Sequence, residues 1–288
     1  MSFEKVDLSF QSCHSKYKDA DVVIFGAPLD ATTSFRPGTR FAGNAIRVDS
    51  IGIEWYSPYQ NLNLRSFKTA DIGDLELPMG DVEAALEVIE QSVERILADN
   101  KKLVMIGGEH LVTYPVVKAL ARVYPDLHLI HLDAHADLRD SFLGSRLSHA
   151  TVIRRCHDIL GDGRIHQFGI RSGDENEFSW SDSGHTRMRR YDLTGIKEAI
   201  AKINPAPVYI TIDLDVLDPS VFPGTGTPEA GGVTYKELLT AIMDFQSIDR
   251  LVGADIVELS PMLDPSGAST AVAVKTLREL VLLLHSKK

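Results

Sequence analysis

Three short segments carry acid and imidazole side chains at a density that ordinary packing does not call for. They are Gly107–His110 (GGEH), Asp133–Asp137 (DAHAD) and Asp213–Asp215 (DLD). Each closes an apolar run that reads as a strand, and alternate side chains of extended backbone share a face. Asp133, His135 and Asp137 are therefore expected on one side, with Asp213 beside Asp215. Carboxylates gathered out of water without a partner are strongly disfavoured, so the cluster implies positive charge among them. Two divalent cations would cancel the four aspartates. Carboxylates with two imidazoles, His110 and His135, suit a hard or borderline ion such as manganese. Six donors are too few to saturate two ions separately, which implies bridging carboxylates and a bridging water. Two ions about 3.5–4 Å apart turn such a water into a hydroxide nucleophile near neutral pH.

The elements that must position these groups are short apolar runs alternating with amphipathic segments. Runs at 22–25, 103–106, 127–132, 165–170, 208–212 and 251–257 lack polar alternation and read as strands covered on both faces. Between them, residues 81–100 place Val82, Ala85, Leu86, Ile89, Val93, Ile96 and Leu97 at helical spacing, with Asp81 as N-cap. Similar patterns occupy 114–123, 150–159, 195–203, 235–245 and 271–284. This repetition predicts an α/β fold, three layers with a central, mostly parallel sheet and right-handed crossovers. With no linker, repeat or low-complexity tract, residues 1–288 are expected to form a single catalytic domain. Stretches 26–40, 139–148, 171–190 and 221–232 read as loops. In open α/β sheets ligands sit beyond the carboxyl ends of the strands, so function is expected there.

Composition excludes other classes. The 288 residues carry 30 Lys+Arg against 40 Asp+Glu, a net charge of −10, with 44% hydrophobic and 24% charged residues. This is ordinary globular composition, neither collagen-like nor disordered nor a disulfide scaffold. The acidic balance argues against a nucleic-acid partner held by phosphate neutralisation and favours a small cationic one. Cys13 and Cys156 stand far apart in the sequence, which fits a reducing compartment. No apolar leader and no stretch of about 20 apolar residues is visible, so a soluble, cytoplasmic protein without membrane contact is expected.

The segments GGEH, LDAHADLRD, LSHAT, ITIDLDVLDPS, PGTGTPEAGG and ADIVELSP, in this order, resemble the ureohydrolase family of arginases, agmatinases and relatives. SFRPGTRFAGNAIR and QFGIRSG extend the resemblance over nearly the whole chain. It implies two Mn2+ per subunit, hydrolysis of a guanidino group to urea, and a homotrimer or homohexamer. By position it implies that His110, Asp133, Asp137 and Asp213 hold one ion and Asp133, His135, Asp213 and Asp215 the other. It further assigns proton shuttling to His149, reception of the guanidinium to Glu258, and a hydroxyl near the reacting carbon to Thr227. The chemistry fits these residue types. A carboxylate pairs with the N–H fork of a guanidinium, Asp137 can take a proton from the attacking hydroxide, and histidine suits protonation of a leaving amine near pH 7.

Ordinary roles are expected for the remaining candidates. His131 reads as a hydrogen-bonded core residue, Glu109 as structural because it neighbours His110, and the acidic run 81–94 as a solvated helix face. His14, His128, His157, His166, His185 and His285 lack a partner motif. PGTGTPEAGG lacks the Gly-Lys-Ser/Thr of a phosphate loop. For the substrate, arginases carry an Asn two residues beyond DAHAD, where this chain has Arg139. DLRDSFLGSRLSHATVIRR with GTGTPEAGG is more similar to agmatinases, which implies agmatine hydrolysis to putrescine and urea in polyamine biosynthesis. Arg139 keeps carboxylate-bearing alternatives open: guanidinobutyrate, formiminoglutamate and arginine. Two other classes stand beside these, a single-zinc deacetylase on a related fold and a catalytically silent scaffold.

Overall fold

Alternation along each strand divides its apolar side chains between two cores. In the computed structural model, which describes residues 8–287, β1 (Val22–Ala27) sends Val22 and Ile24 to one side and Val23 and Phe25 to the other. The next elements are α1 (Ala42–Asp49), a hairpin of β2 (Tyr56–Ser57) and β3 (Leu62–Asn63), β4 (Thr69–Asp74), α2 (Val82–Ala98), β5 (Lys102–Gly107) and α3 (Thr113–Val123). There follow β6 (His128–Leu132), α4 (Val152–Leu160), β7 (Ile165–Ile170), α5 (Glu175–Trp180) and β8 (Arg187–Arg190). The chain ends with α6 (Ile196–Ile203), β9 (Pro207–Asp213), α7 (Tyr235–Asp244), β10 (Arg250–Val257) and α8 (Ala268–Ser286). Eight strands form one sheet in the order β4-β1-β5-β10-β9-β6-β7-β8, and every neighbouring pair is parallel.

One face is covered by α1, α6, α7 and α8 through Ile46, Ile200, Ile242 and Leu280; the other by α2, α3 and α4 through Ile89, Val116 and Ile153. The result is the expected three-layer α/β/α architecture, with strands buried on both faces as parallel sheets require. Cys13 packs in the first core and Cys156 in the second, and both are free thiols.

All six expected strands are present, and two more lie at the sheet edges. β4, TADIGD, buries only its first two residues fully, and β8, RMRR, buries none, so neither carries the continuous apolar run of a central strand. The short helices α1 and α5 also lie outside the expected pattern, and α5 with β8 falls in the stretch 171–190 that reads as a loop. The acidic face of α2 differs in one respect. Glu90 is buried and pairs with Lys118 and Arg122 of α3 at 2.7 Å each, so the run helps join two helices. Asp81 caps α2 as expected, accepting from Ala84 N at 3.0 Å. Among the described residues no helix is long and apolar enough to cross a membrane.

Candidate metal centre and active site

The four central strands, β5, β10, β9 and β6, are adjacent and end at one rim, and each delivers an acidic or imidazole group there. His110 follows β5, Glu258 follows β10, Asp213 closes β9 and Asp133 follows β6. Close backbone approach makes the rim compact. A Cβ on Gly108 would fall 1.8 Å from Leu29 O, so only glycine lets the β5 end lie against the loop after β1.

All six expected ligands converge. His110 Nδ1 lies 3.0 Å from Asp133 Oδ2 and 3.3 Å from both Asp137 Oδ2 and Asp213 Oδ2. His135 Nδ1 lies 3.0 Å from Asp215 Oδ2 and 3.5 Å from Asp133 Oδ1. Two donor groups can be separated, one around His110, Asp133 and Asp137 and one around Asp133, His135 and Asp215, with Asp133 in both. Strand parity is not what gathers them, because β6 ends at Leu132 and DAHAD is a loop. Asp137 reaches the cluster through a left-handed backbone, φ +54°. Glu258 has φ +65°, and non-glycine residues in this region tend to mark functional positions.

Hydrogen bonds fix the tautomers of His110 and His131. Thr211 Oγ1 donates to Asp255 Oδ1 at 2.6 Å and so accepts from His110 Nε2–H at 2.9 Å. That leaves His110 Nδ1 facing the carboxylates, buried and without a well-aligned hydrogen bond, able to offer a lone pair where a cation takes the place of its proton. Asp215 Oδ2, on the other side of the cluster, is a second buried atom without a well-aligned hydrogen bond, with His135 Nδ1 3.0 Å away. Gln167 Nε2 donates to His131 Nδ1 at 3.1 Å, so His131 Nε2–H donates to Asp133 Oδ2 at 2.7 Å. His131 is thus the hydrogen-bonded core residue expected, and it braces the shared carboxylate.

The electrostatics show an anion cluster short of positive charge. Burial, then the Asp133 charge, pushes Asp137 up to about 7. Burial, then Asp215 and Asp133, holds Asp213 well above the carboxylate range. Burial opposes charge on His110, yet Asp133, Asp137 and Asp213 hold it well above the usual imidazole value. Protons here stand where cations would. Two buried donor atoms without well-aligned hydrogen bonds, four carboxylates and the imidazoles of His110 and His135 fit a pair of divalent ions.

Over this floor lies a cleft of about 190 Å³, whose lining includes Asp137, His149, Thr227, Glu258, Arg139 and Glu177. Glu258 accepts from His110 N at 2.7 Å, and burial, then neighbouring Glu109, raises its carboxyl to about 8. His149 opens the helical turn preceding α4, where Ser148 and Thr151 form a capping box. Burial, then the His135 charge, lowers its imidazole to about 4.

Several residues that shape the cleft carry no spacing signal. Glu109, expected to be structural, accepts from Thr32 N at 2.8 Å and Thr32 Oγ1 at 2.9 Å. Thr32 Oγ1 in turn accepts from His149 N at 3.1 Å and lies 3.4 Å from Nδ1, while Ser34 Oγ lies 3.2 Å from Nε2. Arg36 donates to Thr225 O at 2.7 Å and Gly226 O at 3.1 Å, pinning the loop that presents Thr227. Arg171 ties the DLD turn to the same loop through Asp215 O and Glu229 O, at 2.9 and 2.8 Å. Arg139 does not pair with its neighbour Asp140. Its Nε lies 3.3 Å from Glu177 Oε2, and its guanidinium stands 4.9 Å from the Phe142 ring centroid.

The family model described as the arginase family matches residues 20–283. An agmatinase of Bacillus anthracis is 46% identical over 275 residues, covering 95% of each chain. A guanidinobutyrase of Pseudomonas aeruginosa is 34% identical over 281 residues, covering 92% of this chain and 86% of that protein. The crystal structure of agmatine ureohydrolase from Thermoplasma volcanium superposes with a TM-score of 0.89 at 33% identity, covering 98% of this chain and 96% of that one. The chain belongs to the arginase family, as a ureohydrolase of the agmatinase type.

Proposed function

We propose that the enzyme hydrolyses agmatine to putrescine and urea, with two Mn2+ ions held by His110, Asp133, Asp137, Asp213, His135 and Asp215. The observation that carries this reading is the pair of buried donors without well-aligned hydrogen bonds, His110 Nδ1 and Asp215 Oδ2, on either side of the shared Asp133. Bound there, the ion pair would supply a water-derived nucleophile near neutral pH. The protein's part is to hold a poor electrophile in line with it. Glu258 accepts the N–H fork of the guanidinium and fixes its plane. Asp137 receives the proton released as water adds to the central carbon. His149, neutral near pH 7, relays that proton to the departing nitrogen, so that urea and a primary ammonium leave. Thr227 offers a hydroxyl beside the same carbon.

Arg139 supports the diamine over carboxylate-bearing substrates. Its charge faces Glu177 across 3.3 Å and is engaged there, not free to hold a substrate carboxylate. The whole chain working as one catalytic unit, in a homotrimer or homohexamer of the cytoplasm, belongs to the same reading. Family resemblance supports the assembly, and two free buried thiols suit a reducing compartment. The test is urea release by the manganese-loaded enzyme from agmatine, arginine, guanidinobutyrate and formiminoglutamate. A kcat/KM for agmatine at least tenfold above the others is expected. A preference for any carboxylate-bearing substrate overturns the assignment.

A further inference from the structure

At the rim opposite the catalytic cleft, three residues from separate segments meet. His157 lies in the last turn of α4, Asp162 in the turn before β7, and His185 at the end of the kinked turn Ser181–His185 before β8. His157 Nε2 is 2.8 Å and His185 Nδ1 2.7 Å from one oxygen, Asp162 Oδ1. The three candidate ligand atoms all lie within 4.8 Å of one another. Gly161, Gly163 and Gly184, with φ of +80°, +76° and +100°, make the turns that bring them together, and Gly163 N donates to His185 O at 3.3 Å.

Aromatic packing sets the orientation of both rings. Trp180 stacks on His185 at 4.4 Å and 17° between planes, and meets His157 edge-on at 4.6 Å. Arg154 lies 4.1 Å from the Trp180 ring centroid. Both imidazoles thus present one nitrogen each toward a single carboxylate, and that carboxylate is 66% exposed and open to entry from solvent.

We propose that His157, Asp162 and His185 form a second metal site, separate from the catalytic pair, that takes one borderline divalent cation such as zinc, nickel or copper. Two imidazoles with one carboxylate suit these ions better than manganese, and three protein ligands leave the remaining positions to water. An ion there ties the α4–β7 turn to edge strand β8 and to the far end of α5. The near end of α5 carries Glu177, which walls the catalytic cleft.

Trp180 provides a readout independent of catalysis. The chain has two tryptophans, Trp55 and Trp180, so Trp55→Phe leaves only the indole beside the site. Manganese-loaded Trp55→Phe protein is titrated with Cu2+ while tryptophan emission is recorded. The expected result is saturable quenching complete near one equivalent per chain. The quench is lost in His157→Gln, His185→Gln and Asp162→Asn, each of which keeps its urea release, and a large excess of Zn2+ moves its midpoint to higher Cu2+. Absence of saturable quenching below roughly 100 µM Cu2+, an affinity weaker than about 5.5 kcal/mol, overturns the proposal. So does equal quenching in the three variants, which would place the copper elsewhere.

Discussion

Thr32 shows how a residue with no reactive group can govern one that has it. Its hydroxyl proton goes to Glu109, so its oxygen accepts from His149 N, and Glu109 itself is wholly buried. Removing that hydroxyl leaves Glu109 short of a donor and His149 free to turn. Thr32→Val is therefore expected to lower kcat about ten- to a hundredfold with manganese content unchanged, as small misplacements of a catalytic group do. Thr32→Ser, which keeps the hydroxyl, is expected to restore most of the rate. Loss of bound metal in Thr32→Val, measured by elemental analysis, would assign Thr32 to the metal floor instead. The convergence of the six proposed ligands, with His149, Glu258 and Thr227 around the same cleft, was legible because acids and imidazoles cluster in short segments or stand in a family motif. Thr32, Arg36 and Arg171 were not, since they act through hydroxyl and carbonyl contacts between segments 44 to 190 residues apart. No local spacing records such contacts. His157, Asp162 and His185 escaped for another reason: they are single residues 5 and 23 positions apart that form no dense segment.

At the scale of elements, the central strands were legible from their apolar runs, and the site's position followed from where those runs end. The means of convergence was not. Parity along DAHAD predicted the right cluster for a different reason, because a left-handed turn at Asp137 does the work. Edge strands were missed because one-sided burial leaves a mixed sequence, and β4 depends on charge for its attachment. Arg47 of α1 is buried and reaches Asp71 Oδ2 at 2.8 Å while also pairing with Asp74, so it clamps α1 to β4. Gly26 and Gly43 leave the room that Asp74 occupies, since a Cβ on either would stand within 2.4 Å of its carboxylate. Arg47→Met would strand the buried Asp71 without its cation. It is expected to cost about 3–5 kcal/mol of unfolding free energy, measured by urea denaturation. A loss below about 1 kcal/mol would show that the pair behaves as a surface contact.

For the molecule as a whole, acid sensitivity has a predictable sign. Burial, then the charges of His128 and Arg187, lowers His166 to about 4, and burial lowers His285 likewise to about 4. Unfolded histidine titrates near 6.5. As pH falls below that value the unfolded chain takes up protons that the folded chain refuses. The stabilisation is therefore complete above about pH 6.5 and lost progressively toward pH 4, by at most about 1.4 kcal/mol per proton per pH unit. Urea denaturation between pH 7.5 and 4.5 should show this decline, and His166→Asn should flatten it; unchanged stability across the window would contradict the assignment. Central to the proposed mechanism are six side chains that would hold a pair of ions at the carboxyl rim of the four central strands. Anomalous diffraction at the manganese edge, from crystals of the manganese-loaded enzyme, examines that directly. The predicted result is two peaks about 3.5–4 Å apart, one beside His110 and one beside His135, with Asp133 touching both. A single peak, or peaks away from these residues, would contradict it.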